Sequence, residues 1–381
     1  MKILSVVGAR PQFVKAAMLS LAIKKHNRGS SARRKIRQVL VHTGQHYDPN
    51  LSDVFFEQLP LPKPQHSLGV GSAPHGAQTA AMLERLEPAL LSEKPDLVVV
   101  YGDTNSALAG ALAAAKLHML VAHVEAGLRS FNRSMPEEIN RIATDHISDL
   151  LLCPTPTAVA NLKNEGITRG VSLTGDVMLD AVHEFRGLAE RRNILAQLNL
   201  AHKKYALVTI HRAENTDSYE RLRFTVDVLA KLQIPAVFPM HPRLRHALAA
   251  DVRCRAFGNK LRQAKELRII PPVSYLDMLL LEKRAQLVLT DSGGVQKEAY
   301  FLSVPCVTLR QETEWVETLD GGWNRLAGRT ASDTLAAVRA LWAGNGVQPR
   351  RAPDLDSFGG GRAAENAVIA IVSHLKQRPR L

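Results

Sequence analysis

Aromatic side chains make up only 5% of this 381-residue chain. That scarcity disfavours a platform for stacking nucleic-acid bases, which needs exposed rings. Cysteine is scarcer still. The three present, Cys153, Cys254 and Cys306, lie far apart with no C-x-x-C or Cys/His spacing. This argues against a structural zinc site and a disulfide framework, and fits a reducing compartment. Long apolar runs are missing too: the best candidate is interrupted by Lys116 and His118, short of the roughly 20 apolar residues of a membrane span. The first residues, MKILSVVGAR, read as a strand entering a turn rather than a charged region ahead of a long apolar core. No H-E-x-x-H, nucleophile elbow or G-x-G-x-x-G is found. These absences lead us to expect a cytoplasmic protein without a membrane or nucleic-acid partner.

Acidic residues are also in deficit, 36 against 49 Lys and Arg, for a net charge of +13. Part of the excess is one run, residues 24–37 (KKHNRGSSARRKIR), and part is the tail, residues 376–380. Such runs are most simply solvated loops and ends, and this one holds no aromatic to interleave with its charges. A pocket for a nucleoside diphosphate would need arginines as well, so charge alone does not separate these readings.

What the chain does have is a repeated strand-then-helix pattern. Its centre is DLVVVYGDTNSALAGALAAAKLHMLVAHVEAGLRSFNRSMPEEINR, residues 96–141. Leu97–Tyr101 is a continuous apolar, β-branched run, as expected of a strand buried on both faces of a parallel sheet. It ends at Gly102 and leaves Asp103 beyond its carboxyl end. Residues 106–116 are small and alanine-rich, a good crossover helix. Residues 119–124 form the next buried strand, followed by Glu125. Pro136 suits the first position of a helix, with Glu137 and Glu138 in its first turn and Arg141 a turn later. Taken singly, each acid is most simply a helix cap. Taken together they describe a site, because ligands of open parallel sheets bind beyond the carboxyl ends of the strands.

Around this centre the pattern continues. Residues 3–7 form a first strand ending in Gly8-Ala9-Arg10-Pro11, with a helix over 12–25. A glycine turn between strand and helix is where a phosphate can meet free backbone N–H groups, and Arg10 would bring a fixed positive fork there. Residues 38–42 are a strand followed by the polar loop 43–48, and residues 60–74 a surface connection. The pattern restarts after a charged helical connection over 180–204. Strands at 205–210, 236–240, 267–270, 287–290 and 306–309 follow, the last the final clear one. The turn after 287–290 is Asp291-Ser292-Gly293-Gly294, suited to close backbone approach and to an anion at a helix N-terminus. Glu298, a turn later, could accept hydrogen bonds from ribose hydroxyls. His211 and Arg212 end a strand; an imidazole there suits phosphate contact or proton transfer near neutral pH. Tyr275 could stack on a base, and His241 reads as structural.

A chain of this length exceeds what one core holds, so two domains are expected. The fold class is α/β: two Rossmann-like domains facing across a cleft, over residues 1–178 and 179–365, with a C-terminal helix or tail, 366–381, placed against the first.

Assembled, these residues resemble the non-hydrolysing UDP-N-acetylglucosamine 2-epimerases, which have the glycosyltransferase-B type of fold. The carriers are GARPQFVKA (8–16), HTGQHYD (42–48), YGDTNS (101–106), HVEAGLRSFNRSMPEEINR (123–141), HRAEN (211–215) and DSGGVQKEA (291–299). The resemblance implies anti elimination of UDP to a bound 2-acetamidoglucal, then re-addition of UDP on the other face, which inverts C2. It carries over Asp103, Glu125 and Glu137 as acid/base carboxylates. His211 joins Arg10, Ser292, Gly293 and Gly294 at the diphosphate, and Glu298 takes the ribose. Lys15 and Arg141 support the site. It implies no metal, no nicotinamide cofactor, a role in cell-surface polysaccharide synthesis, and a homodimer.

Three departures stand out. Many members read G-T-R-P-E where this chain has Gly8-Ala9-Arg10-Pro11-Gln12. Lys297 replaces a frequent glutamate, and Trp315-Val316 a frequent Arg-Pro. These look closer to the branch acting on UDP-2,3-diacetamido-2,3-dideoxyglucuronic acid. Some relatives bind a second UDP-N-acetylglucosamine partly through a glutamine that is Asp48 here. The competing reading is a UDP-sugar glycosyltransferase of the same fold, which would need an acceptor patch and no cluster of carboxylates about C2.

Overall fold

In the computed structural model, which describes residues 1–45, 59–250, 252–344 and 351–377, the chain divides into two compact units. The first joins Met1–Ala181 with Asp354–Leu381, and the second is Val182–Pro353.

The first unit is built on seven strands: Lys2–Val7 (β1), Arg37–His42 (β2), His66–Ser67 (β3), Leu97–Tyr101 (β4), Val121–Val124 (β5), Leu150–Cys153 (β6) and Val171–Leu173 (β7). Every pairing is parallel, in the order β3-β2-β1-β4-β5-β6-β7. Its helices are Arg10–Arg28 (α1), His75–Glu93 (α2), Asn105–Lys116 (α3), Pro136–His146 (α4), Pro156–Asn164 (α5) and Val177–Ala189 (α6), the last running into the second unit. All five residues of β4 are buried, which is why it reads as an unbroken apolar run. The small residues of α3 let that helix lie close on the sheet: a Cβ on Gly110 would come within 3.0 Å of Val100 and 3.2 Å of Val6. Thr104 caps α3 by accepting from the Ala107 N–H.

The second unit repeats the plan with six parallel strands. They are Ala206–Thr209 (β8), Ala236–Pro239 (β9), Leu267–Ile270 (β10), Leu287–Thr290 (β11), Cys306–Thr308 (β12) and Asn324–Leu326 (β13), in the order β10-β9-β8-β11-β12-β13. Its longer helices are Tyr219–Ala230 (α7), Pro242–Ala249 (α8), Val252–Arg262 (α9), Tyr275–Arg284 (α10), Gly293–Phe301 (α11) and Ala331–Ala343 (α12). Buried Leu, Val and Ile side chains form one core on each face of this sheet.

Numbered within its own unit, each sheet contains the doubly wound order 3-2-1-4-5-6, so each reverses direction once. The reversal falls between β1 and β4 in the first unit and between β8 and β11 in the second. Ligand sites of such sheets lie at that switch point, beyond the carboxyl ends of the strands.

The structure differs from the sequence reading in two strands. His66–Ser67 pairs with Val41 and His42 inside the expected surface connection 60–74. Asn324–Leu326 pairs beyond β12, so 306–309 is not the last strand. Both are short and polar and lie at sheet edges, where no apolar run is required. The final helix, Ala363–Gln377 (α13), belongs to the first unit. It is led back by a close crossing at Gly175, whose Cβ would lie 2.6 Å from the Phe358 carbonyl. Asp180 then caps its start, accepting from the N–H groups of Ala363 (3.1 Å) and Ala364 (2.7 Å).

Candidate functional site

At the first switch point, Gly8 has no room for a side chain: a Cβ would sit 2.1 Å from Thr43 Oγ1 and 2.2 Å from Ser106 Oγ. Arg10 opens α1 directly after this turn. Gln12 ties the turn to its neighbour. Its Oε1 accepts from the N–H groups of Gly8 (2.8 Å) and Ala9 (3.0 Å), while its Nε2 donates to the Tyr101 carbonyl (2.7 Å) and Thr104 Oγ1 (2.9 Å). The amide supplies both donor and acceptor, which gives the glutamine at this departure a physical reason.

Lys15, on α1, forms a buried ion pair with Glu125. Glu125 holds a left-handed backbone at φ 76°, a conformation that costs a non-glycine residue about 1 kcal/mol or more and clusters at functional positions. Asp103 is gripped by α4: Arg141 Nη1 donates to its Oδ2 at 2.6 Å, and Asn140 Nδ2 to its backbone carbonyl at 2.9 Å. Asp103 Oδ1 has no partner among the described residues, and neither has the half-buried Glu137 carboxylate in the first turn of α4.

The acid that pairs with Arg141 within the helix is Glu138, at 2.8 Å. Burial acts to raise the proton affinity of Glu138. The Ser130 N–H, the Arg141 charge and the Phe131 N–H outweigh it and hold the carboxyl below its ordinary range. Glu138 is therefore a fixed brace, whereas Glu137, one residue away, has no partner among the described residues.

The second switch point is organised by Asp291, wholly buried beyond β11. Its carboxylate accepts from the backbone N–H groups of His211 (3.0 Å) and Arg212 (3.0 Å) and from Asn215 Nδ2 (3.1 Å). The HRAEN turn is thus fastened to the DSGG turn, and the His211 ring is left part-exposed with Nδ1 3.5 Å from Asp291 Oδ1. Ser292 caps α11, its Oγ accepting from the Val295 N–H at 3.3 Å.

The two glycines that follow have different reasons. A Cβ on Gly293 would lie 2.5 Å from Glu314 Oε1, whereas one on Gly294 would meet only Ser292 Oγ, at 3.7 Å. The protein's own packing demands the first glycine and leaves the second open to the helix N-terminus, where an anion can approach.

Around this turn Glu314 accepts from Arg212 Nη2 (3.1 Å) and from the wholly buried Arg310 Nη1 (2.7 Å). Lys297 and Trp315, two of the departures noted above, stand face to face: the ammonium lies 3.5 Å from the ring centroid, and both side chains are buried. A cation over an indole face is worth about 2 kcal/mol once desolvated. Glu298 lies on the next turn of α11 with the Tyr275 hydroxyl beside it, while the Tyr275 ring meets Phe185 edge-on. Glu282, on α10, is wholly buried beside Glu298. Burial first, and then the Glu298 charge, push its carboxyl well above the ordinary range.

The structure therefore brings Lys15 to Glu125, Arg141 to Asp103, and His211 to the Ser292–Gly294 turn through Asp291. His46, Tyr47 and Asp48 lie outside the described residues. The sequence reading counted Glu138 among the acids of the site without separating it from Glu137, missed Gln12, Asn140, Arg310 and Glu314 as organisers, and gave Asp291 no role. Asp291 alone carried a signal, an acid at a strand's carboxyl end. Among the described residues no helix is long and apolar enough to cross a membrane.

Two doubly wound parallel sheets, one with acids and the other with a glycine turn at its switch point, define a nucleotide-sugar class of the glycosyltransferase-B type. The chain belongs to the UDP-N-acetylglucosamine 2-epimerase family, whose model matches residues 29–372. It is 52% identical over 340 residues to a UDP-N-acetylglucosamine 2-epimerase homolog of Methanococcus maripaludis, covering 89% of this chain and 92% of that one. It is 47% identical over 371 residues to the UDP-2,3-diacetamido-2,3-dideoxy-D-glucuronate 2-epimerase of Pseudomonas aeruginosa, covering 96% and 97%. The crystal structure of the Methanocaldococcus jannaschii UDP-GlcNAc 2-epimerase in complex with UDP-GlcNAc and UDP superposes with a TM-score of 0.88 at 43% identity, covering 98% of this chain and 100% of that one.

Proposed function

We propose that this enzyme inverts C2 of a UDP-2-acetamido sugar without hydrolysing it, by eliminating UDP and adding it back to the opposite face. The observation that carries the reading is the division of chemistry between the two switch points. The first offers carboxylates in three different settings: Glu125 paired with Lys15, Asp103 with Arg141, and Glu137 uncommitted. The second offers a helix N-terminus with an open glycine. C2–H has no adjacent carbonyl to acidify it, so its removal must be coupled to departure of a well-stabilised leaving group. Carboxylates serve the proton transfers, and backbone N–H groups and arginines serve the departing diphosphate.

In this reading Asp103, Glu125 and Glu137 exchange protons with the sugar. Arg10, His211, Ser292, Gly293 and Gly294 hold the diphosphate, and Glu298 and Tyr275 the nucleoside. The relatives support two candidate substrates, UDP-N-acetylglucosamine and UDP-2,3-diacetamido-2,3-dideoxyglucuronate. Lys297 and Trp315 favour the second, because at those positions the chain resembles the branch that acts on it. A place in cell-surface polysaccharide synthesis, a homodimeric state and a cytoplasmic location complete the proposal.

Proton NMR in D2O with each nucleotide sugar tests it. Deuterium entering at C2 while a manno-configured UDP-sugar accumulates is the expected result, and the sugar that reacts names the substrate. Both nucleotides remaining unchanged until an acceptor is added would replace this reading with a glycosyltransferase.

A further inference from the structure

Behind the acids of the first unit lies a row of charges, buried except at its outer end, that the reaction as proposed does not use. His123 occupies the middle of β5 and is completely buried, between Ala122 and Val124 of the same strand. Its Nδ1 lies 2.7 Å from Asp145 Oδ1, and its Nε2 lies 2.8 Å from the Gly102 carbonyl oxygen. A carboxylate oxygen and a carbonyl oxygen only accept. Each ring nitrogen therefore faces an acceptor, the arrangement of a ring that donates from both sides.

The groups beyond it alternate in charge. Asp145 Oδ2 accepts from Arg129 Nη1 at 2.7 Å and from the Gly127 N–H at 3.1 Å. Arg129 continues to Glu165, with contacts of 2.6 Å and 2.8 Å. The row His123, Asp145, Arg129, Glu165 alternates in sign. The neighbouring Cys153 thiol stays neutral, pushed up to about 12 by burial and then by the Asp145 charge.

The backbone atoms this row grips are informative. The Gly102 carbonyl belongs to the peptide that leads into Asp103, and the Gly127 N–H to the turn that starts at Glu125. Both turns are left-handed, with φ 64° at Gly102, 76° at Glu125 and 81° at Gly127. They also face each other closely: a Cβ on Gly102 would lie 3.1 Å from Lys15 Nζ and 3.2 Å from Glu125 Oε2. A small shift of the Gly102 peptide would therefore be felt at the Lys15–Glu125 pair as well as at Asp103. A parallel strand needs only an apolar side chain at such a position, and a buried charge there is costly unless its partners are in place.

We propose that His123 is a positioning residue for the epimerisation: a buried imidazolium that clamps the Gly102–Asp103 peptide directly and the Glu125–Gly127 turn through Asp145, holding two carboxylates in register. This rests on the assignment of Asp103 and Glu125 to proton transfer.

Two conservative variants separate the two bonds. His123→Asn keeps a donor toward Asp145 and gives up Gly102; His123→Gln reaches Gly102 and gives up Asp145. His123→Asn should lower kcat about a hundredfold, the size of effect a displacement near 1 Å produces, with little change in KM. His123→Gln should retain more of kcat. Independently of turnover, 15N NMR of histidine-labelled intact enzyme near neutral pH should show one ring with both nitrogens protonated, lost in either variant. A neutral ring with one bare nitrogen, or wild-type kcat in a stably folded His123→Asn, would overturn the proposal. Normal turnover in Asp103→Asn would instead remove the reading it rests on, while the ring signal would still report on His123 alone.

Discussion

The two switch points share one geometry and carry opposite chemistry. Each lies between strands 1 and 4 of a doubly wound sheet, and each is lined by the turns that leave those strands. In the first unit the acids follow strand 4 and its neighbour strand 5: Asp103 is held by Arg141 of α4, and Glu125 by Lys15 of α1. In the second, the acid that leaves strand 4, Asp291, is turned inward to fasten two turns together, and the helix N-terminus at the open Gly294 is what remains beside it. On the proposed reading, an acid after a strand is a reagent in one unit and a rivet in the other. The difference lies in what the acid finds nearby: Asp103 meets a guanidinium and keeps one oxygen uncommitted, whereas Asp291 meets backbone N–H groups and an amide. Topology selects the place, and side-chain neighbours select the role.

The strongest way to break this comparison is to neutralise the reagents. Asp103→Asn and Glu125→Gln should each lower kcat by about a thousandfold, within the range of general acid–base catalysis, while UDP affinity by calorimetry stays near wild type. Near-normal turnover in both would sink the assignment of these carboxylates. Next in size is the glycine turn that follows the rivet. Gly293→Ala drives a methyl into Glu314 and should lower stability by about 2 kcal/mol, in the range of overpacking costs, read as a lowered midpoint in urea. Gly294→Ala next to it should leave the midpoint unchanged or raised, because a helical glycine is replaced at a position with room. It should nonetheless weaken UDP binding by about tenfold, or roughly 1.4 kcal/mol. Unchanged UDP affinity in Gly294→Ala would deny the open glycine its role.

A subtler contrast sits behind Glu298. Glu282 holds its proton well above the ordinary carboxylate value of 4.5. The folded state thus binds a proton that the unfolded chain releases, and this contribution to stability is present at low pH and lost as pH rises. Glu282→Gln cannot titrate. The gap in melting temperature between variant and wild type should therefore widen in the variant's favour from about pH 5 to about pH 8, and a constant gap would contradict a protonated Glu282. A comparable effect is expected at the Lys297–Trp315 pair. Lys297→Met should cost about 1–2 kcal/mol, the worth of a buried cation–π contact, and a double cycle with Trp315→Phe should recover part of that as coupling.

How far these features could be read in advance depended on whether the signal was local. Leu97–Tyr101 and Leu287–Thr290 announced themselves because a strand covered on both faces must be apolar throughout. Asn324–Leu326 and His66–Ser67 did not, being short, polar and at the sheet edges. Asp103 and Glu125 were legible from their place after buried strands. Glu138 and Glu137 were not distinguishable, because adjacent helical positions point to different sides and only the packing tells which side meets Arg141. Lys297 and Trp315 were visible as two separate oddities eighteen positions apart; nothing local says that they touch.

By itself, the sequence determined two alternating β/α halves, the turns that follow their strands, and the residue types those turns present, since each follows from local hydrophobic period and turn chemistry. Only the tertiary structure decided which charges face each other. Lys15 with Glu125, Arg141 with Asp103, Asp291 with the His211 turn, and His123 between Gly102 and Asp145 are all pairings across 15 or more positions. Such pairings are set by strand order and helix packing, which bring side chains together without leaving any trace in the spacing between them.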